Sequence, residues 1–222
     1  MSVVLFYMTK AIVLGGSRGI GKAISDSLKS IKIDVFSASK KDIDTSNLNS
    51  VKKFLELHNE TDILILNTGG PEPKSFSNIN EKDWEKYHNQ LFLSFCIMLQ
   101  KIKINDNGYI FLISSNVIKE PNEKLIISSA YRAAFTEVFK ILSKQYAQNN
   151  INCINIAPGP INTDRTQELI ENVEEFEKTL PMKRLGEPEE IGNFVKGIIE
   201  NEIKYLSGVT INFDGANSNY IF

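Results

Sequence analysis

The sequence predicts an α/β protein: a doubly wound parallel sheet of the Rossmann type, sandwiched in a three-layer α/β/α arrangement. Three observations carry the prediction. Short apolar runs alternate with longer stretches of helical period, several of the runs lack a polar face, and a glycine-rich turn joins the first run to the first helical stretch. A strand with no polar side is one buried on both faces, and regular alternation with helices makes its neighbours parallel.

In chain order, KAIVLG (10–15) reads as the first strand and residues 20–30 as the helix after the turn. IDVFSA (33–38) is the second strand, and Asn47 offers a helix start for 47–58. DILILN (62–67), GYIFLIS (108–114), INCINIA (151–157) and VTINFD (209–214) supply the remaining strands. Helices fall at 81–103, 127–148 and 187–200, the last opening on Glu187-Pro188. From Ala38 to Asp44 there is no room for the dozen or more residues that a parallel crossover needs. The second crossover helix is therefore expected to be shortened or missing, and the strand it would lead to absent or vestigial.

The 222 residues, 42% hydrophobic and 23% charged, suit one core, so residues 10–222 are read as a single domain. MSVVLFYM lacks a basic lead and a small-residue cleavage site; residues 1–9 read as an extension, with Met8 a second possible start. A net charge of −2 gives no cationic footprint for nucleic acid or an anionic membrane. No apolar run approaches the roughly 18 residues of a membrane span. Cys96 and Cys153 lie in apolar surroundings and read as reduced, buried thiols of a cytoplasmic protein, with no metal site expected.

GGSRGIG, Gly15 to Gly21, stands between a strand and a helix, where backbone N–H groups at a helix start can approach a pyrophosphate. Its spacing is G-x-x-x-G-x-G. Together with NTGG (67–70), ISS (113–115), APGPINT (157–163) and RLGEPEEIG (184–192), it resembles the short-chain dehydrogenase/reductase family over about Lys10 to Ala216. The resemblance implies that Gly15, Gly19 and Gly21 line the pyrophosphate, with Ser17 and Ile20 between them. Asn67, Thr68 and Gly69 would border the adenosine, Asp44 the adenine ring, and Thr163, after Pro158, Gly159 and Ile161, the nicotinamide carboxamide. At the end of the second strand, FSASKK offers Ser37, Ser39 and Lys40 and no carboxylate, with Arg18 nearby. Hydroxyls and cations suit a 2′-phosphate and a carboxylate suits a free 2′-OH, so NADP(H) is favoured over NAD(H).

The chemistry looks displaced. Family members carry a serine, a tyrosine thirteen residues later, a lysine four beyond, and an asparagine on the preceding helix. Ser115 fits the serine, but the next two positions hold Ser128 and Arg132, and Leu91 stands at the asparagine. Tyr131, about 100° around the helix from Arg132, should point elsewhere. An aliphatic hydroxyl is a far weaker acid than a phenol, and arginine stays charged, so Arg132 could clasp ribose hydroxyls but not shuttle a proton. Ser115, Ser128 and Arg132 remain the candidate catalytic set, with Tyr87 or His88 as conceivable relocated acids. The expected activity is hydride transfer to or from a small carbonyl or alcohol with a non-standard proton donor; the alternative is an inactive NADP(H)-binding sensor or partner subunit. Residues 164–190 match the family's substrate lid, and the glutamates at 168–177 read as a solvated helix face. The resemblance implies that the helices at 81–103 and 127–148 pair across a twofold axis; here they carry Phe92, Phe95, Phe135, Val138 and Phe139, of which one stripe should face the sheet and part of the remainder needs another cover, so a homodimer or homotetramer through those helices is expected.

Overall fold

The computed structural model describes residues 9–220, so all of the expected extension except Thr9 lies outside the described residues. Six parallel strands are formed among them: β1 (Lys10–Leu14), β2 (Asp34–Ala38), β3 (Glu60–Leu66), β4 (Lys103–Ile113), β5 (Asn152–Pro158) and β6 (Val209–Phe213). They lie in the order β2-β1-β3-β4-β5-β6. After β1 the chain crosses to one side, and from β2 it returns to the other; the direction of winding therefore reverses at β1, where a crevice opens at the carboxyl ends.

The short link after β2 has the expected consequence. Residues 39–47 hold turns and no helix, and the chain then enters α2 (Leu48–Leu57) and lands directly beside β1 as β3. Asn47 caps α2, its side-chain oxygen accepting from the Asn49 and Ser50 amides at 3.0 and 3.3 Å. With no strand outside it among the described residues, β2 is an edge, and Phe36 on it is covered by the stacked ring of His58 at 4.2 Å.

Alternate strand residues feed the two faces, as the pleat requires. Ile12, Leu14, Leu64 and Leu66 join Phe95, Met98, Phe135 and Phe139 in one core layer. Ala11, Val13, Ile63 and Ile65 pack against Ile24 and Leu28 of α1 (Gly19–Ser30) in the other, with residues of a C-terminal helix (Pro188–Glu200). That helix starts as anticipated, with Glu187 at the cap and Pro188 at the first helical position.

The predicted helix at 81–103 is interrupted and ends earlier. It comprises α3 (Glu81–His88), a π-helical turn at Asn89–Leu93 and α4 (Ser94–Lys101). In the π-turn the Ser94 amide bonds back to the Asn89 carbonyl, and the Gln90 carbonyl so released accepts from the Ser94 hydroxyl at 3.2 Å. β4 begins at Lys103 rather than 108, with a register shift against β3 between Thr61 and Ile63. α5 (Ile126–Tyr146) follows on the same face. Of the apolar residues expected to divide between the sheet and an outer cover, Phe95, Phe135 and Phe139 face the sheet, 1%, 1% and 3% exposed. The half-buried outer stripe is Phe92, Ile97, Val138 and Leu142, with Ile141 exposed beside it.

Phe135 touches the rings of Phe95 and Phe139 at centroid distances of 5.2 and 6.3 Å. Phe135→Ala should lower unfolding free energy by about 3–5 kcal/mol, measured by denaturant titration.

Candidate active site

A cleft of about 560 Å³ opens at the carboxyl ends of β1, β2 and β3. Its floor is the glycine turn. Gly15 has φ +61°, the left-handed region, and a Cβ on Gly21 would lie 2.2 Å from the Gly15 carbonyl oxygen, so a side chain at 21 would force the turn apart. α1 starts here with Arg18 as an extended cap residue that makes no side-chain cap bond, and no acid sits in the first turn. The first amides of α1 and the helix dipole are left to an anion.

Of the residues the sequence singled out, Gly15, Ser17, Arg18, Gly19, Ile20, Ser39, Lys40, Asp44, Asn67, Thr68, Gly69 and Thr163 all line this cleft. Gly21 lies beneath its floor. Ser37 packs under the turn against Gly16, its hydroxyl buried without a partner. Pro158 ends β5, Gly159 packs on Asp214, and Ile161 is buried where it bridges to Gly186. Ser115, Ser128 and Arg132 do not contribute to the wall.

Near β2 the structure adds a carboxylate that sequence reasoning passed over. Asp42 accepts from the Ser39 hydroxyl at 2.7 Å and from its amide at 2.8 Å, and these bonds hold the Asp42 carboxyl below its ordinary range. The S-x-x-D spacing was the available signal. Asp44 is half-buried, which works upward on its carboxyl, but the Ser46 hydroxyl and amide and the Lys40 ammonium at 3.7 Å outweigh this and draw it down.

The wall at Asn67–Gly70 is held on every side. The Asn67 amide group donates to the Leu14 carbonyl at 3.1 Å, and the Thr68 hydroxyl meets that of Thr45 at 3.1 Å. Gln90, in the π-turn, donates to the Gly69 carbonyl at 2.7 Å. Gln90 escaped the sequence reading because a regular helix would have given its side chain a different direction. Arg132 donates from Nη2 to the Thr68 carbonyl at 3.1 Å, from Nη1 to the Ile113 and Ser114 carbonyls at 3.0 and 3.2 Å, and from Nε to Ser128 Oγ at 3.2 Å. Its side chain is buried, which draws its pKa down to about 10 and still leaves it charged at neutral pH. Ser115 caps the short turn Asn116–Ile118 and donates to Asn116 Oδ1 at 3.3 Å.

Among the conceivable relocated acids, Tyr87 lines the cleft, with the Lys86 ammonium 4.8 Å from its ring centroid. His88 packs instead against Phe92 and Tyr131, at centroid distances of 5.6 and 5.5 Å. Tyr131 also meets Trp84 edge-on and, as anticipated, points away from the Arg132 network. Across the mouth, α6 (Asp164–Leu169) is capped by Thr163, and Arg165 donates to the Pro71 carbonyl at 3.3 Å. α7 (Val173–Thr179) and α8 (Pro188–Glu200) complete this side. Glu168 is exposed as expected, at the edge of the cleft, whereas Glu177 is half-buried and accepts from the Leu185 amide at 3.0 Å. The thiols of Cys96 and Cys153 are free; Cys153 is buried and pushed up to about 12, and Cys96 is only half-buried.

A family model described as enoyl-(acyl carrier protein) reductase matches residues 22–216. The chain belongs to the short-chain dehydrogenase/reductase family. Within it, the NADPH-dependent reductase BacG of Bacillus subtilis is 28% identical, the match covering 93% of this chain and 96% of that protein. The 3-oxoacyl-[acyl-carrier-protein] reductase FabG of Chlamydia pneumoniae is also 28% identical, over 93% and 95%. The crystal structure of YwfH, an NADPH dependent reductase involved in bacilysin biosynthesis, has a TM-score of 0.83 and 26% identity, covering 97% of this chain and 100% of that one. A blue fluorescent protein from a metagenomic library in complex with NADPH shares the fold at TM-score 0.84 and 21% identity, over 95% and 98%. This short-chain dehydrogenase/reductase is an oxidoreductase.

At a second, smaller cavity lined by Ile161, Gly186 and Phe213, Arg184 and Glu190 form a two-pronged ion pair at 2.8 and 2.9 Å, which with the Glu187 amide takes the Glu190 carboxyl down to about 2 from 4.5. A carboxylate whose folded pKa is depressed stabilises above the unfolded value, and that contribution fades as pH falls from 4.5 toward 2. The pair is partly exposed, so the effect is small. Glu190→Gln should erase it: the stability difference between wild type and variant, followed by denaturant titration, should shrink across that acid window.

Proposed function

We propose that this protein is an NADP(H)-dependent oxidoreductase that transfers hydride between its cofactor and a small carbonyl or alcohol, with a proton donor other than the one usual in its family. The observation that carries the cofactor choice is the set Arg18, Ser39 and Lys40 on the β2 side of the cleft, two cations and a hydroxyl where an adenosine 2′-phosphate would lie. Asp44 is committed to Ser46 and Lys40, and Asp42, bonded to Ser39, is not on the wall. The NADPH dependence named for BacG and YwfH supports the same reading.

The residues present fit the cofactor. The glycine turn and the uncapped first turn of α1 would receive the pyrophosphate, Asp44, Thr45 and Asn67–Gly69 the adenosine, and Thr163 the carboxamide end. When bound, the reduced nicotinamide supplies the hydride. The chain's own residues must orient the carbonyl and bring a proton to its oxygen. Ser128 is poorly suited to give that proton, because it is buried, is a weak acid, and already accepts from Arg132. Tyr87 is the phenol on the cleft wall and the first group to replace in a search for the donor. Segment 164–190 would close over the substrate, with Arg165 reaching the far rim at Pro71.

Among the described residues no helix is long and apolar enough to cross a membrane. We place the protein in the cytoplasm as a homodimer or homotetramer joined through the π-turn, α4 and α5, whose outer stripe of Phe92, Ile97, Val138, Ile141 and Leu142 needs a cover. Sedimentation at micromolar concentration should report at least a dimer; a monomer would remove this assembly.

NADPH should bind more tightly than NADH at low salt by fluorescence titration, and the gap should narrow as salt screens the charges. Arg18→Ala and Lys40→Ala should each shrink it. Carbonyls screened for loss of NADPH absorbance then test turnover. Equal affinities, or a stronger grip on NADH, would refute the cofactor assignment.

A further inference from the structure

Arg132 stands where the family's lysine would reach the nicotinamide ribose, yet its guanidinium is engaged elsewhere. One planar fork joins three parts of the fold: the Thr68 carbonyl beyond β3, the Ile113 and Ser114 carbonyls at the end of β4, and Ser128 one turn earlier on α5. The side chain is 8% exposed and absent from the cleft wall. Gln90 grips the next carbonyl, Gly69, from the π-turn, and it does line the cleft. Successive peptides of one wall are thus held by two different helical elements. The Thr68 hydroxyl then ties that wall to Thr45, beside Asp44.

We propose that Arg132 is a positioning residue: by fixing the Asn67–Gly70 wall, it sets the protein's grip on the adenosine half of the cofactor, without touching the cofactor. The inference rests on the reading of the cleft as an NADP(H) site. A lysine keeps the charge, but three donors radiating from one nitrogen cannot reproduce a planar fork that serves two strand ends and a hydroxyl. A buried carbonyl left without its donor costs enough to shift the loop that carries it.

Adenosine 2′,5′-bisphosphate contains the adenosine half and lacks the nicotinamide ribose, so it separates the two roles. Titrations of NADPH and of the bisphosphate by calorimetry, well below the unfolding temperature of each variant, give the test. Arg132→Lys should weaken both ligands by the same factor, about tenfold. Weakened NADPH with unchanged bisphosphate would mean that Arg132 meets the nicotinamide ribose directly and would overturn the proposal. Unchanged affinity for both would overturn it equally, since a lysine would then suffice.

Should Arg132→Lys fail to fold, Gln90→Ala loosens the same wall from the opposite side. Parallel weakening of NADPH and of the bisphosphate is the supporting result. Unchanged affinity for both would show that the wall needs no such fixing, and the proposal would fall. Wild-type protein that binds neither ligand would instead remove the NADP(H) reading itself.

Discussion

A parallel strand cannot pair with its sequence neighbour without a crossover, and this constraint shapes both the sheet and the cleft. From β1 the chain crosses to β2 on one side and then, through α2, to β3 on the other. The crossover out of β1 and the one out of β2 run in opposite directions across the sheet, so among the described residues a crevice is left above the carboxyl end of β1. Into that space the glycine turn presents the open amides of α1, and the other walls are built around it. The short link at 39–47 strengthens the dependence. With no further strand outside β2 among the described residues, the groups on the β2 side of the cleft come from a turn stitched by Asp42, Ser39, Asp44 and Ser46 rather than from a sheet edge.

Beside the cleft, one long side chain is turned inward to hold the fold together. The planar guanidinium of Arg132 finds carbonyls at the ends of two strands and is internal. Ser128, one turn earlier, is small enough to leave room for it and accepts the Nε–H. The two residues are mutually consistent: a buried guanidinium is tolerated when its donors are matched, and here four backbone or side-chain oxygens take up four of its five N–H groups. Neither side chain is a phenol able to give up a proton, and Tyr87 is the tyrosine that lines the cleft.

Most of the fold was legible because its signals are local. Buried strands such as ILIL of β3 and YIFLI of β4 declare themselves by apolar runs without a polar face, and helix starts at Asn47 and Glu187-Pro188 by cap chemistry. The absence of a helix directly after β2 could be read from length alone. The π-turn at Asn89–Leu93 could not, since a single extra residue in a helical turn leaves the apolar period almost unchanged. Nor could the sequence say which of Phe92, Phe95, Phe135, Val138 and Phe139 would face the sheet. Periodicity reports that a helix has an apolar stripe, and packing decides which part of it faces the sheet.

The sequence by itself determined the alternation of strand and helix, the glycine turn, the hydroxyls and cations of Ser37, Ser39 and Lys40 after the second strand, and a serine and an arginine at 128 and 132. These follow from residue type and spacing along the chain, and need no partner. Only the tertiary structure decided where the Arg132 guanidinium goes, that Gln90 turns onto the Gly69 carbonyl, and that Tyr87 lines the cleft while His88 stacks beside Tyr131. A long side chain takes its direction from acceptors tens of residues away in sequence, and the Thr68, Ile113 and Ser114 carbonyls come within reach of Arg132 only once β3 and β4 lie side by side.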